Sequence, residues 1–253
     1  MAAYDLSEYD GVLAFGDVLR DLYLTRGWAA RAFTWREAAD VRVFRPIEGV
    51  PRDGDVAWIG NWGDGERSGE LLEFLLRPAA ALRLRGRAYG VRYPESAREA
   101  LCNHGFEYGG WLPNFEVPNI YARFTMSVHV PRRPYVQALP GIPTIRPFEA
   151  LACGIPLICA PWNDAEHLFE EGADYLVART GEQMRDQMRV LHNDDDARRE
   201  LAAHGRATIL ARHTCAHRVD DLLEIAAALA PGSAGEVTEL AAATVPHAQG
   251  TIA

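Results

Sequence analysis

No lysine occurs in the 253 residues; all 26 basic side chains are arginine. This excludes a phosphate site built on a P-loop lysine, so an anion site must rest on guanidinium groups or backbone amides. Cysteine is sparse as well: Cys102, Cys153, Cys159 and Cys215 form no CxxC pair and no dense framework, as expected of reduced intracellular thiols. No apolar run approaches the roughly eighteen residues that a membrane span needs. The opening MAAYDLSEYDG is acidic where a secretory signal needs a basic region and then an apolar one. A cytoplasmic protein without a transmembrane segment is expected. Positive charge is also in deficit: a formal charge of -9 and a pI of about 5.4 leave no basic footprint for nucleic acid.

What is present is a globular composition, 48% hydrophobic and 24% charged, which predicts a packed fold. The length allows one domain plus a fragment of another. DGVLAFG at 10–16 reads as a strand, DVLRDLYLTRG at 17–27 as a helix and ARAFTW as a second strand, making one β-α-β unit. The turn-rich RPIEGVPRDGD at 45–55 marks a boundary. Beyond it, VAWIG reads as a strand, NWGDGERSG as a glycine-rich loop and ELLEFLLRPAAALRLRG as a helix with Pro78 as a point of interruption.

RAYGVRY, FEYGGWL, TMSVHVP and IPLICAP read as further strands. ESAREALCNHG and VPNIYARF read as short helices, and IRPFEALACG as a loop leading into a helix that ends at Gly154. Apolar spacing predicts helices at 164–172, 180–192, 194–212 and 214–230, and the tail from Pro231, with little to bury, is expected to be disordered. Repeated β-α units without hairpins imply an α/β doubly wound parallel sheet with ligands beyond the carboxyl ends of its strands. Residues 60–69, 109–110 and 131–149 are expected at that end.

Two constellations carry chemistry. Gly60-Asn61-Trp62-Gly63-Asp64-Gly65-Glu66-Arg67 lies between a predicted strand and helix. Its glycines let amides approach a phosphate and Arg67 can bind two phosphate oxygens, with Trp62 as an aromatic neighbour. An exposed turn explains the same residues, and Asp64 and Glu66 oppose an anion. The second is Arg146-Pro147-Phe148-Glu149-Ala150-Leu151-Ala152-Cys153-Gly154-Ile155-Pro156, where a glutamate in a first helical turn can accept two ribose hydroxyls or merely complement the helix dipole. Arg132 and Arg133 can face phosphates or solvent. His213, Cys215 and His217 lack metal-ligand spacing, and Asp194-Asp195-Asp196 reads as a helix cap, so no metal is expected.

Asp40 to Pro46, Ile59 to Arg67, Tyr108-Gly-Gly-Trp-Leu112 and Arg146 to Gly154 occur in the order found in GT-B glycosyltransferases, which the chain resembles over about residues 4–228. The branch it is most similar to is the CgeB, or spore-maturation-like, group. The resemblance implies a nucleotide-diphospho-sugar as donor substrate, no other cofactor, and hexosyl transfer to an unidentified acceptor. It implies that Glu149 holds the ribose, that Arg67 holds the diphosphate, and that Trp111 and Leu112 lie at the base. Gly60, Asn61, Trp62, Arg146 and Phe148 complete the expected donor site. The first glutamate of the group's E-x7-E motif falls on Gly141 here.

The resemblance divides the chain into a remnant of an amino-terminal Rossmann-like domain (1–46), a nucleotide-sugar-binding domain (47–230) and the tail (231–253). Either the chain is a truncated version of such an enzyme or a partner subunit supplies the acceptor side, and no residue stands out as a general base. The alternative is a non-catalytic nucleotide-binding or assembly module derived from such an enzyme. A nucleotide-sugar epimerase or mutase would require a GxGxxG loop after the first strand, which the sequence lacks.

Overall fold

The structure, a computed structural model, describes residues 6–63, 65 and 67–230. Asp64, Glu66 and the tail expected to be disordered lie outside the described residues. Residues 10–34 form the expected β-α-β unit: β1 (Val12–Ala14), α1 (Asp17–Thr25) and β2 (Ala32–Thr34), the two strands pairing in parallel. Its small core joins Ala14, Tyr23 and Ala29, with Trp28 edge-on to Tyr23 at 6.2 Å.

The following strands build one six-stranded parallel sheet: β3 (Gly54–Ile59), β4 (Gly86–Tyr89), β5 (Phe106–Tyr108), β6 (Phe124–His129), β7 (Leu157–Cys159) and β8 (Leu176–Val177). Their spatial order is β5-β4-β3-β6-β7-β8. The chain winds outward from β3 to one edge, returns to β6 beside β3, and winds outward to the other edge. This is the doubly wound arrangement, and the reversal between β3 and β6 is its topological switch point.

Side-chain alternation explains why both faces are covered. Val56 and Trp58 of β3 enter one apolar core, while Ala57 and Ile59 enter the other. The first core is closed by α2 (Ser68–Leu71), a π-type turn at Leu72–Leu76, α3 (Arg77–Ala81), α4 (Glu95–Asn103) and α8 (Gly181–Asn193). The second is closed by α5 (Val117–Tyr121), α7 (Ile145–Ala152) and α9 (Asp195–Arg212). Helix α6 (Arg133–Ala138) lies between β6 and α7, and α10 (Cys215–Leu229) runs back to the front unit. There Trp35 Nε1 donates to the Arg218 carbonyl at 2.8 Å, and Ala39 exchanges backbone hydrogen bonds with His213 and Cys215.

Several local expectations are corrected. No helix spans 164–172: the Asp164 carboxylate accepts from the amides of Leu168 and Phe169 at 3.0 and 2.9 Å, so the chain wraps around a side chain instead of continuing an i to i+4 ladder. The strand expected over FEYGGWL stops at Tyr108, and the segment 131–149 contains α6. Pro78 does not end its helix. It cannot donate to the turn before it, and that turn widens into the π-type stretch. Asp194 caps α9 as expected, accepting from the amides of Asp196 and Ala197. His217 is consumed in a capping box with Thr214, and His213 Nε2 lies 2.9 Å from the Leu168 carbonyl. Among the described residues no helix is long and apolar enough to cross a membrane.

At the carboxyl ends of β3 and β4 the backbones nearly touch. Gly90 has φ +142°, and a Cβ there would lie 2.2 Å from the Gly60 carbonyl oxygen. Gly90→Ala is expected to cost about 2–4 kcal/mol, from both the strained backbone and the collision, measured as a loss of denaturant midpoint without a change in slope.

Candidate functional site

A cavity of about 180 Å³ opens at the switch point, between the carboxyl ends of β3 and β6. Gly60 and Asn61 wall it from β3, His129 and Val130 from β6, and Thr144 and Arg146 from the start of α7. Three arginines converge on it, Arg67, Arg132 and Arg146.

Arg67 sits just ahead of α2 and is only 7% exposed. Its Nη1 donates to the Val130 carbonyl at 2.9 Å, its Nη2 donates to the Asn61 carbonyl, and its guanidinium lies 5.2 Å from the Trp58 ring centre. This one side chain therefore ties the ends of β3 and β6 together. The loop amides are less available than expected: Gly60 N donates to Tyr89 O at 2.9 Å and Trp62 N to Val91 O at 3.3 Å. Trp62 packs against Tyr93 at 5.9 Å in the first core instead of facing the cavity.

Glu149 is 1% exposed and is the fifth residue of α7, so it stands beyond the first turn, where the helix dipole would reward it. Asn114 Nδ2 donates to its Oε1 at 2.9 Å, and Arg146 pairs with its Oε2. Burial raises its pKa while Arg146 and Asn114 oppose the shift. Arg146 thus belongs to both the cavity wall and the Glu149 pair. Phe148, expected at the site, points into the second core, 5.2 Å from the Phe169 ring and 5.4 Å from His213. Trp111 is 70% exposed, and Leu112 packs against the second core. Their loop leads to Asn114 and so abuts Glu149. Arg133, by contrast, is held by Glu70 at 2.9–3.0 Å.

The structure adds residues that sequence reasoning missed. His129 is buried at the cavity wall, its Nε2 3.2 Å from Thr144 Oγ1 and its Nδ1 without a hydrogen-bond partner. Burial, with Arg67 and Arg146 close by, lowers its pKa to about 3, so the ring is neutral. A polar residue ending an apolar strand was the available signal. Glu37, on the segment before β3, has a buried Oε2 with no hydrogen-bond partner, and burial together with repulsion from Glu149 raises its pKa to about 7.

Gly141 has φ +82°, and a Cβ there would lie 2.7 Å from Glu166 Cγ. The space beside Gly141 is thus filled by a different glutamate. Glu166 Oε1 accepts from the amide of Asp17 at 2.7 Å and Oε2 from Arg36 Nε at 2.6 Å. These bonds clasp the front unit to the segment between β7 and β8. Neither Asn114 nor Glu166 carried a local sequence signal, because each acts across a long stretch of chain.

Restoring the motif glutamate is expected to harm the protein. Gly141→Glu meets both the left-handed backbone and the Glu166 side chain, so a loss of about 2–4 kcal/mol is expected in chemical denaturation. Glu37 yields a pH dependence. An acid with a folded pKa of about 7 and an unfolded value of 4.5 holds its proton longer when folded, so stability falls as pH rises between those values. Glu37→Gln is expected to match wild type near pH 4.5 and to exceed it by about 1–3 kcal/mol at pH 8, as read from melting curves at the two pH values.

The sequence matches the glycosyl transferase-like family over residues 67–224, more than half of the chain. No curated protein matches it by sequence. Among solved structures, sucrose-phosphate synthase from Thermosynechococcus elongatus superposes with a TM-score of 0.67 at 14% identity, over 88% of this chain and 59% of that one. Anabaena HepE, solved with UDP-glucose, gives a TM-score of 0.68 at 13% identity, over 88% and 65%. TarM from S. aureus, solved with UDP, gives 0.65 at 12%, over 87% and 44%. The chain therefore spans less than two thirds of these neighbours' lengths, and the likeness is one of fold. On the match across residues 67–224 and the six-stranded parallel sheet, the chain belongs to the glycosyl transferase-like family and has a GT-B-type α/β fold.

Proposed function

We propose that the switch-point cavity binds the diphosphate of a nucleotide-sugar donor and that the chain is the donor-binding half of a glycosyltransferase of the CgeB-like branch. The observation that carries this reading is the convergence of Arg67, Arg132 and Arg146 on one cavity at the point where doubly wound sheets take their ligands. Guanidinium groups held in place before the ligand arrives favour the charge that develops on a departing diphosphate. His129 Nδ1 adds one uncharged hydrogen-bonding atom in the same wall. HepE and TarM, which share the fold, were solved with UDP-glucose and UDP respectively.

Glu149 is assigned to the ribose, and its geometry sets a condition. Its oxygens already engage Asn114 and Arg146, so a ribose hydroxyl must replace the Asn114 amide at Oε1. Trp111 and Leu112, on the loop that ends at Asn114, are assigned to the base. Gly60 and Asn61 shape the floor, whereas Trp62 and Phe148 support the site from within the two cores. No side chain is assigned as general base. Free thiols at all four cysteines accord with a cytoplasmic setting.

Leu13 and Phe15 on or beside β1 and Leu22 and Leu24 on α1 are exposed, and a partner subunit supplying the acceptor side would cover them. The alternative of a non-catalytic nucleotide-binding module is favoured by one observation, the occupation of both Glu149 oxygens by protein groups.

Calorimetry with UDP and uridine tests the reading. Arg132 is exposed, so Arg132→Ala is expected to weaken UDP about tenfold while leaving uridine and the melting temperature unchanged. Arg67→Ala is expected to lose UDP binding and several degrees of stability together, since it also releases Val130 and Asn61. Equal losses for UDP and uridine in Arg132→Ala, or no UDP binding by wild type, would remove the diphosphate assignment.

A further inference from the structure

A second and larger cavity, about 350 Å³, opens at the opposite end of the sheet. One wall is formed where the chain enters the strands, by Arg52 ahead of β3, Thr125 as the second residue of β6 and Pro156 ahead of β7. The other wall is the beginning of α9, which contributes Asp195, Arg198 and Arg199. Tyr121, Phe124 and Ile155 supply apolar surface between them. None of these residues belongs to the donor site except Tyr121, which lines both cavities.

Three guanidiniums converge here, and the carboxylates that answer them sit together at the start of α9, leaving Arg52 on the far wall without an acidic partner among the described residues. Arg198 is buried; its Nη1 donates to the carbonyls of Leu191 and His192, and Asp195 pairs with its Nη2. Arg52 approaches it from the opposite wall, where its Nη1 reaches Thr125 Oγ1 at a long 3.4 Å. Arg199 pairs with Asp196 at the exposed surface, a weak attachment that leaves the guanidinium able to turn. Three guanidiniums and one carboxylate line the cavity wall itself, while Asp194 and Asp196 stand beside it on the same helix start, so the positive charge is concentrated on the side of Arg52. A phosphate monoester carries about -1.5 to -2 at neutral pH and offers three acceptor oxygens. Burial and the neighbouring charge of Arg52 both disfavour the Arg198 cation, a conflict that an anion between the two would relieve.

We propose that this cavity is a second ligand site, for a phosphate monoester with a compact apolar group. The phosphate lies between Arg52 and Arg199 with Arg198 behind it, and the apolar group rests on Tyr121, Phe124 and Ile155. The site is independent of the nucleotide assignment, because it occupies the amino ends of the strands and shares none of the three switch-point arginines.

Phenyl phosphate titrated into the full chain by calorimetry tests this. Wild type is expected to bind it more tightly than phenol or inorganic phosphate. Arg52→Glu, at an exposed position, is expected to lower the affinity about tenfold or more at unchanged melting temperature, while Arg132→Ala leaves it intact. Arg199→Glu serves as a second variant should Arg52→Glu not fold, with the same expected loss. The proposal is overturned by an absence of saturable binding, by wild-type affinity in the glutamate variants, by inorganic phosphate binding as well as the ester, or by a loss that follows Arg132→Ala instead.

Discussion

Everything in this molecule hangs on the pairing of β3 with β6. Gly54 lies opposite Phe124, Val56 opposite Met126 and Ala57 opposite Ser127, in the middle of a parallel sheet whose two faces are both buried. Neither strand is adjacent to the other in sequence; residues 60–123 lie between them and supply β4, β5 and their helices. Because the chain leaves the two strands toward opposite edges, the loops at their carboxyl ends part and a crevice must open there. The crevice is thus a product of topology, and side chains only decide what enters it. Arg67 bridges the parting loops by donating to a carbonyl on each side, which makes the most buried cation of the site also the strut that sets its width.

How far the molecule could be read in advance follows from the range of each interaction. The apolar runs of β3, β6 and β7 and the helical spacing of α8, α9 and α10 are local patterns, and they appeared where the periodicity put them. The Arg67 and Arg146 positions were also legible, as arginines at a strand-to-helix loop and at a helix start. Glu149 lies on the predicted helix, but its burial was not legible, since Asn114, which donates to it, lies 35 residues away. The failed helix at 164–172 shows the reverse error: its apolar spacing belongs to Leu168 and Phe169, which fill the second core while Asp164 takes their amides. Trp62 and Phe148 likewise sit beside the site in sequence yet face the cores.

The two ends of the sheet present a contrast. At the carboxyl ends, guanidiniums meet strand-end carbonyls and a neutral histidine; at the amino ends, they meet helix-end carbonyls and aspartates around an apolar floor. In a chain without lysine, both arrangements use planar donors that stay charged across the whole biological pH range and can engage two oxygens at once. Tyr121, buried and with its ionisation suppressed by burial, forms the shared partition.

The Glu166 clasp has a mechanical consequence. One carboxylate binds the first turn of α1 through Asp17 and the segment after β2 through Arg36, and its stem fills the space beside Gly141. Swinging the front unit away from the sheet would break two charge-assisted hydrogen bonds together, at most about 3–6 kcal/mol net of their exchange with water, less for the partly exposed Arg36. The joint between the two parts therefore behaves as a locked hinge. Its bolt is drawn from the segment after β7 and is packed on Gly141, so the same side chain is shared by the front unit and the turn that precedes α7.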